Sequence, residues 1–394
     1  MATIETISAD GLLERVNDLE SLIREHSAEG ERERRLSTPV AEALRDAGFF
    51  RMFRPRSRGG LELDPVAEFR VAEAISRIDS AAGWNIQVSN ASELFGAWFR
   101  DSASDDVFGA AESIVAGAFN PHLRAVPVQG GYRISGQTPF TSNCNSATWF
   151  LGLADVWDGD AIRLDEGGQP TTLITLSQAD EGKIVENWNT LGMCGTGSHD
   201  VNFDGVFVPE ERAVPFLPLE TPSSAYDTPI TAMAIWAAVG SQAAVALGIA
   251  QSAIDELTAL GLKVPAYTEN TLRDRPMVQM RLAQADGKLS AARAFLYSAY
   301  DEAWEAAQND GALSMTQKAR CQLAITHAAM TGAEVVDLVH SCVGASGIRN
   351  EQSFQRHFRD AHVVTQHAFL CESRLDSVGQ IMFGMEPSWP FFQF

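Results

Sequence analysis

The sequence predicts a mainly helical protein with a β domain at its centre. Three observations carry this expectation. Residues 1–113 show apolar positions at helical spacing behind capped starts. Residues 114–228 break into short β-branched and aromatic segments divided by Gly, Asn and Pro. Residues 229–394 return to long amphipathic patterns. The expected order is therefore an N-terminal helical domain, a middle β domain and a C-terminal helical bundle. No internal repeat or low-complexity segment interrupts it.

In the first region, "LSTPVAEALRDAGFF" offers Ser37 and Thr38 as caps, a Pro in the first turn and Gly48 as a stop. "PVAEFRVAEAISRIDSAAGWNIQVSNASELFGAWF" continues the pattern behind Pro65. In the second, "YRISGQTPF", "ATWFLGLADV", "TTLITL", "GKIVENW" and "DVNFDGVFVP" read as strands, with "RLDEGGQP" as a loop between two of them. In the third, Leu282, Leu289, Ala292, Phe295, Leu296 and Ala299 form one apolar stripe. The stretch Thr228–Ile254 carries no charge and imitates a membrane span. Its Ala and Gly content is weakly hydrophobic for lipid and suits a helix packed closely on all sides, so a buried bundle helix is expected and no membrane.

Composition bounds the function. With 30 Lys and Arg against 51 Asp and Glu, the net charge of −21 excludes a nucleic-acid partner, whose phosphates need a basic face. The five cysteines are scattered and contain no CxxC, which argues against a disulfide framework or zinc site and for a reducing cytoplasm. "MATIETISADGLLERV" is acidic and lacks the apolar core of a signal peptide. No nucleotide fingerprint or nucleophile elbow occurs, and "GTGSHD" has the wrong spacing for one.

"FRDAHVVTQHAF" (358–369) concentrates polar groups where a core helix would be apolar. His357, His362 and His367 recur every five residues, a turn of about 140° per step, so they cannot share a helix face and no metal is expected. Asp360, Val364, His367, Cys371 and Arg374 do share one. On helix geometry alone they form a salt-bridged seam between bundle helices or the wall of a site.

Four collinear stretches resemble the acyl-CoA dehydrogenase fold: "GYRISGQTPFTSNCNSATWF", "LGMCGTGSHDVNFDGVFVPEE", "GASGIRNEQSFQRHFRDA" and "RDRPMVQMRLAQADGKLSAAR". The resemblance spans about residues 30–380 and implies a three-part subunit, usually in a homotetramer. The family's dehydrogenases carry a catalytic glutamate a few residues after the Arg-Asp-Ala motif. Here residues 361–371 hold no carboxylate, and His367 stands there instead. That pattern, with "DAGFFRMFRPRSRGGLEL" and "AAGWNIQVSN", resembles the oxygenase branch, the two-component flavin-dependent monooxygenases. A dehydrogenase or nitroalkane-oxidase activity is the alternative within the fold, and a flavin-free scaffold a third class.

The oxygenase resemblance implies reduced flavin (FMNH2 or FADH2) from a separate NAD(P)H:flavin reductase. It also implies O2, and hydroxylation of an aromatic or polycyclic molecule through a flavin C4a-hydroperoxide. It assigns Ser142 to the flavin N5 region and His367 to the substrate's proton. Phe140, Thr141, Thr196, Ser198 and Gln366 would contact flavin, with Arg275 reaching it from a neighbouring subunit. Trp84, Ser92 and Asn120 would line the substrate. Two positions depart from the branch: Ser92 stands where a histidine is frequent, and Cys194 where arginine is.

Overall fold

A computed structural model describes residues 7–217, 223–233, 235–350 and 352–394. Five helices come first: α1 (Ala9–Glu33), α2 (Thr38–Asp46), α3 (Pro65–Ile78), α4 (Ser80–Glu93) and α5 (Asp101–Phe108). The strands follow as β1 (Val115–Val128), β2 (Gly131–Thr138), β3 (Trp149–Asp158), β4 (Ala161–Ile162), β5 (Thr172–Gln178), β6 (Lys183–Val185), β7 (Asp200–Pro209) and β8 (Ala213–Pro215). The chain closes with α6 (Pro229–Ala232), α7 (Ile235–Ala259), α8 (Pro276–Asp310), α9 (Met315–Val343), α10 (Ser353–Val364) and α11 (Leu375–Met382). The fold is acyl-CoA dehydrogenase-like, as the sequence implied.

Local chemistry sets the helix starts. Ser8, Asp64 and Asp79 each accept a backbone N–H of the first turn they cap. The Asp79 cap also divides what the sequence suggests is one helical run, because its extended backbone ends α3 and starts α4. Ser37 occupies the cap position of α2, but its hydroxyl makes no capping bond. α3 and α4 approach closely: a Cβ on Gly83 would meet the Ser76 Oγ at 1.8 Å, so only glycine fits there.

The sheet runs β6-β7-β2-β1-β3-β5-β8, with β4 pairing β3 off this path. β1 and β3 are parallel and the other pairs antiparallel. Val115, Leu151, Leu153 and Ile174 meet Phe99, Val107 and Phe108 on one face, while Ala116, Phe150, Ala154 and Leu173 pack on the other. Two covered faces explain why "WFLGLADV" reads as a continuous apolar run. β1 itself carries no clear strand signal, since a bulge between Ala118 and Leu123 interrupts its pairing at "FNPH".

The uncharged segment gives α7, whose most apolar window is 94% buried inside the protein. Small residues let its neighbours close in: Gly240 leaves room for Phe69 and Tyr300, and the Tyr300 hydroxyl donates to the Trp236 carbonyl at 2.7 Å. Ser241 donates to buried Glu68 at 2.9 Å, and burial pushes that carboxyl up to about 8, so it is mainly protonated at neutral pH. On α8, Leu289, Ala292, Leu296 and Ala299 are buried, while Leu282 and Phe295 lie at the core's margin.

One wholly buried ion pair ties the helical domain to the sheet. Arg54 donates to both Glu93 carboxylate oxygens, at 2.7 and 2.9 Å, and to the carbonyls of Ala110 and Ser113 just ahead of β1. Glu93→Ala leaves the Arg54 charge buried and unpaired. It should lower unfolding free energy by about 3–5 kcal/mol, read from denaturant titration. A loss below about 1 kcal/mol would mean water reaches Arg54.

Candidate active site

The turn after β2 holds the site's hydroxyls. Phe140 and Asn143 take left-handed backbone at φ 58° and 62°, which folds residues 140–143 against the segment before β7. Two backbone bonds fix this contact: Thr141 N–H donates to the His199 carbonyl at 3.1 Å and Asn143 N–H to the Thr196 carbonyl at 3.0 Å. Ser142, Ser198 and Thr196 then form a chain of hydroxyls, each link 2.7 Å. Trp84 of α4 donates its indole N–H to Ser142 at 3.2 Å, and Thr196 donates to the Met193 carbonyl at 2.8 Å. Thr141 turns away from this chain and bonds to Thr138.

His367 reaches the same wall from outside a helix. α10 ends at Val364, so the common face of Asp360, Val364, His367, Cys371 and Arg374 expected from a continuous helix does not form. The Thr365 hydroxyl takes the His362 carbonyl at 2.7 Å, and the next turns bend the chain inward. The His367 ring stands edge-to-face on Trp84, with centroids 5.3 Å apart. No charge lies close enough to hold a proton on it, and burial pulls its pKa down to about 4. The imidazole is neutral at physiological pH. The Phe369 N–H lies 3.4 Å from Nδ1, a long contact, and Nε2 has no partner among the described residues. His357 and His362 do form a seam, paired with Glu256 and Asp337.

Ser142, Thr196, Ser198, Trp84 and His367 therefore meet. Phe140 borders them with its ring 66% exposed, edge-on to Trp188. The other candidates lie apart. Ser92 donates to the Val88 carbonyl of its own helix at 2.9 Å. Asn120 sits exposed in the β1 bulge. Gln366 is exposed and bonds to Thr365. Arg275 caps α8, and its guanidinium makes no hydrogen bond or ion pair among the described residues. No cluster of three metal-ligating side chains occurs among them either.

Neither Trp188 nor Met193 carries an individual signal in the sequence, and Asp360 stands there only as a member of the shared helix face. The Asp360 carboxylate accepts the Ser80 hydroxyl at 2.5 Å and the Met193 N–H at 2.6 Å. Asp360 also lines a cavity of mixed character, with Glu31, Asp79 and Arg356 beside Ile23, Leu36 and Val40. The wall in front suits a flat conjugated cofactor. It presents an uncovered aromatic face at Phe140, hydroxyls able to donate or accept, and no fixed charge.

The family profile "Acyl-CoA dehydrogenase, N-terminal domain" matches residues 14–98, and "Acyl-CoA dehydrogenase, C-terminal domain" matches 241–372. An indole-3-acetate monooxygenase of Pseudomonas putida is 31% identical over 96% of this chain and 94% of its own. The chain belongs to the flavin-dependent monooxygenases of the acyl-CoA dehydrogenase family. The oxygenase subunit HsaA of Rhodococcus jostii is 27% identical over 90% of this chain and 94% of its own. Among solved structures, XiaF from Streptomyces sp., in complex with FADH2 and glycerol, superposes with a TM-score of 0.87 at 26% identity, covering 97% of both chains. In this monooxygenase the cofactor is reduced flavin and the co-substrate O2.

The His367 environment has a thermodynamic signature. The folded pKa of about 4 lies below the ordinary 6.5, so between these values the unfolded chain binds more protons. This group's contribution is fully present above the upper value and is lost as pH falls towards the lower one. His367→Asn should flatten that part of the stability profile, measured by urea unfolding across the window. An identical slope in the variant would show that His367 is not held neutral by the fold.

Proposed function

We propose that this oxygenase hydroxylates a bulky aromatic or polycyclic substrate, with His367 as proton acceptor and Ser142 as the flavin-positioning hydroxyl. One observation carries the reading. A neutral imidazole and a hydroxyl chain share one wall through Trp84, on a segment with no carboxylate from Ala361 to Cys371. The relatives' names support the substrate class, since they include an indole-3-acetate monooxygenase and a resorcinol hydroxylase. The terms "oxygenase subunit" and "oxygenase component" support delivery of reduced flavin by a separate NAD(P)H:flavin reductase. Five free cysteines accord with a cytoplasmic setting.

Phe140, Ser142, Thr196 and Ser198 would hold the flavin. When bound and reduced, flavin supplies the two electrons that activate O2. The protein's part is to orient and to move a proton. Ser142, tied to both Trp84 and Ser198, presents a hydroxyl fixed in direction. Trp84 and Phe369 wall the pocket with aromatic surface and keep water from the reacting centre. His367, neutral and unpaired at Nε2, takes the phenolic or indolic proton as oxygen is transferred.

Two variants test these roles. His367→Asn should cut hydroxylated product by about 10²–10⁴ while flavin affinity and oxygen consumption persist. Ser142→Ala should weaken flavin binding and raise hydrogen peroxide release roughly threefold to tenfold, the effect of one lost hydrogen bond. Product yield unchanged in the first variant, or coupling unchanged in the second, would remove that residue from the role given.

The unpartnered Arg275 at the head of α8 supports a homotetramer in which it completes a neighbour's flavin site. Light scattering should find four subunits, with flavin affinity falling in Arg275→Ala. A fully active monomer would refute this assembly.

A further inference from the structure

α4 is buried on every side except one. From Ser80 to Phe99, all residues are buried apart from Val88, Ala91, Phe95 and Trp98. These four are spaced three and four apart. At about 100° per residue along α4, Val88 and Ala91 fall within about 40° of Trp84, the residue that touches both Ser142 and His367, and the short 3-10 helix that continues α4 (Leu94–Trp98) carries Phe95 and Trp98 three residues apart on one face. The uncovered stripe is thus a continuation of the active-site wall. It carries no charge, and its single nearby hydroxyl, Ser92, is turned back onto Val88.

The stripe ends in an aromatic cluster. Phe95 stacks on Trp98 at 5.0 Å and meets Phe119 of β1 at 5.1 Å, beside the bulge that holds Asn120. All three rings are only partly buried. The Trp98 indole N–H is itself out of solvent and has no acceptor among the described residues. A buried donor needs an acceptor, and at the end of this apolar stripe a ligand's acceptor would supply one.

We infer that Val88, Ala91, Phe95 and Trp98 form a binding trough for the distal part of the substrate. This rests on the oxygenase reading of the Ser142–His367 wall and names the substrate class. The ligand is a long, flat, largely apolar aromatic molecule with a hydrogen-bond acceptor at the end remote from its hydroxylated ring. Trp84 and Phe95 are eleven residues apart, roughly 17 Å along α4 and the 3-10 turn that continues it, which corresponds to roughly three or four rings in line. Phe95 and Phe119 grip the far ring, and Trp98 donates to the acceptor.

Calorimetric binding to the full-length protein tests this with three probes: phenol, 4-hydroxy-p-terphenyl, and the same terphenyl bearing a terminal carboxylate. The wild type should prefer the terphenyl to phenol. Phe95→Leu, which keeps bulk and loses the stacking face, should cut that preference roughly tenfold. Trp98→Phe should remove the carboxylate's added affinity, about threefold to tenfold. General damage to the fold lowers all three affinities together and leaves their ratios alone. Ratios equal to wild type in both variants would overturn the trough. Hydroxylation of phenol by the wild type is assayed in parallel. Length-graded binding without hydroxylation would fail the oxygenase reading and leave the trough supported.

Discussion

The carboxylate of Asp360 holds the three parts of the subunit in register. It is almost wholly buried, and it accepts the hydroxyl of Ser80 and the backbone N–H of Met193. Ser80 opens α4, which carries Trp84 one turn later. Met193, in left-handed backbone, opens the turn that presents Thr196 and Ser198. Asp360 itself lies on α10, which delivers the chain to His367. Burial raises its pKa, only partly offset by the bonds from Ser80 and Met193 and by the nearby charges of Arg356 and Arg359. The relative placement of imidazole, indole and hydroxyls thus passes through one side chain.

The wall so assembled is polar without being charged. Hydroxyls that can donate or accept adapt to a cofactor whose hydrogen-bonding pattern changes with redox state, whereas an ion pair would fix one pattern. Burial depresses the pKa of His367, and no neighbouring charge offsets it. A neighbouring carboxylate would keep the imidazole protonated and unable to take a proton. In the dehydrogenase form of this fold the base is itself a carboxylate. The uncharged ring proposed in its place suits a substrate whose acidic proton sits on oxygen or nitrogen.

Much of this was legible in the sequence, and the failures share a cause. The uncharged α7, the strands of the middle region and the hydroxyl-bearing turns announce themselves through local composition and period. The break at Asp79, the bulged β1 and the end of α10 before His367 do not. Each is decided by a cap, a bulge or a side-chain bond that costs no change in hydrophobic pattern. Longer-range pairings are quieter still. Arg54 and Glu93 lie 39 residues apart and read as ordinary surface charges, yet they are fully buried against one another. Asp360 appears in the sequence as part of a motif, while its partners Ser80 and Met193 carry no mark at all.

α4 shows how function enters the packing. A helix through the middle of a protein this size would gain most by burying every face, at about 25 cal/mol per Å² of apolar surface. This one, with the 3-10 turn that continues it, leaves Val88, Ala91, Phe95 and Trp98 only partly buried while packing the rest so tightly that Gly83 admits no side chain. The shortfall lies along the line that runs from the base and the hydroxyls, not at random. A ligand that covers the stripe recovers the hydrophobic contact the fold gives up, and only a ligand long enough to reach Phe95 recovers all of it. Substrate length is then read by the same helix that positions Trp84 for the chemistry. Reach and reactivity are coupled through a single rigid element.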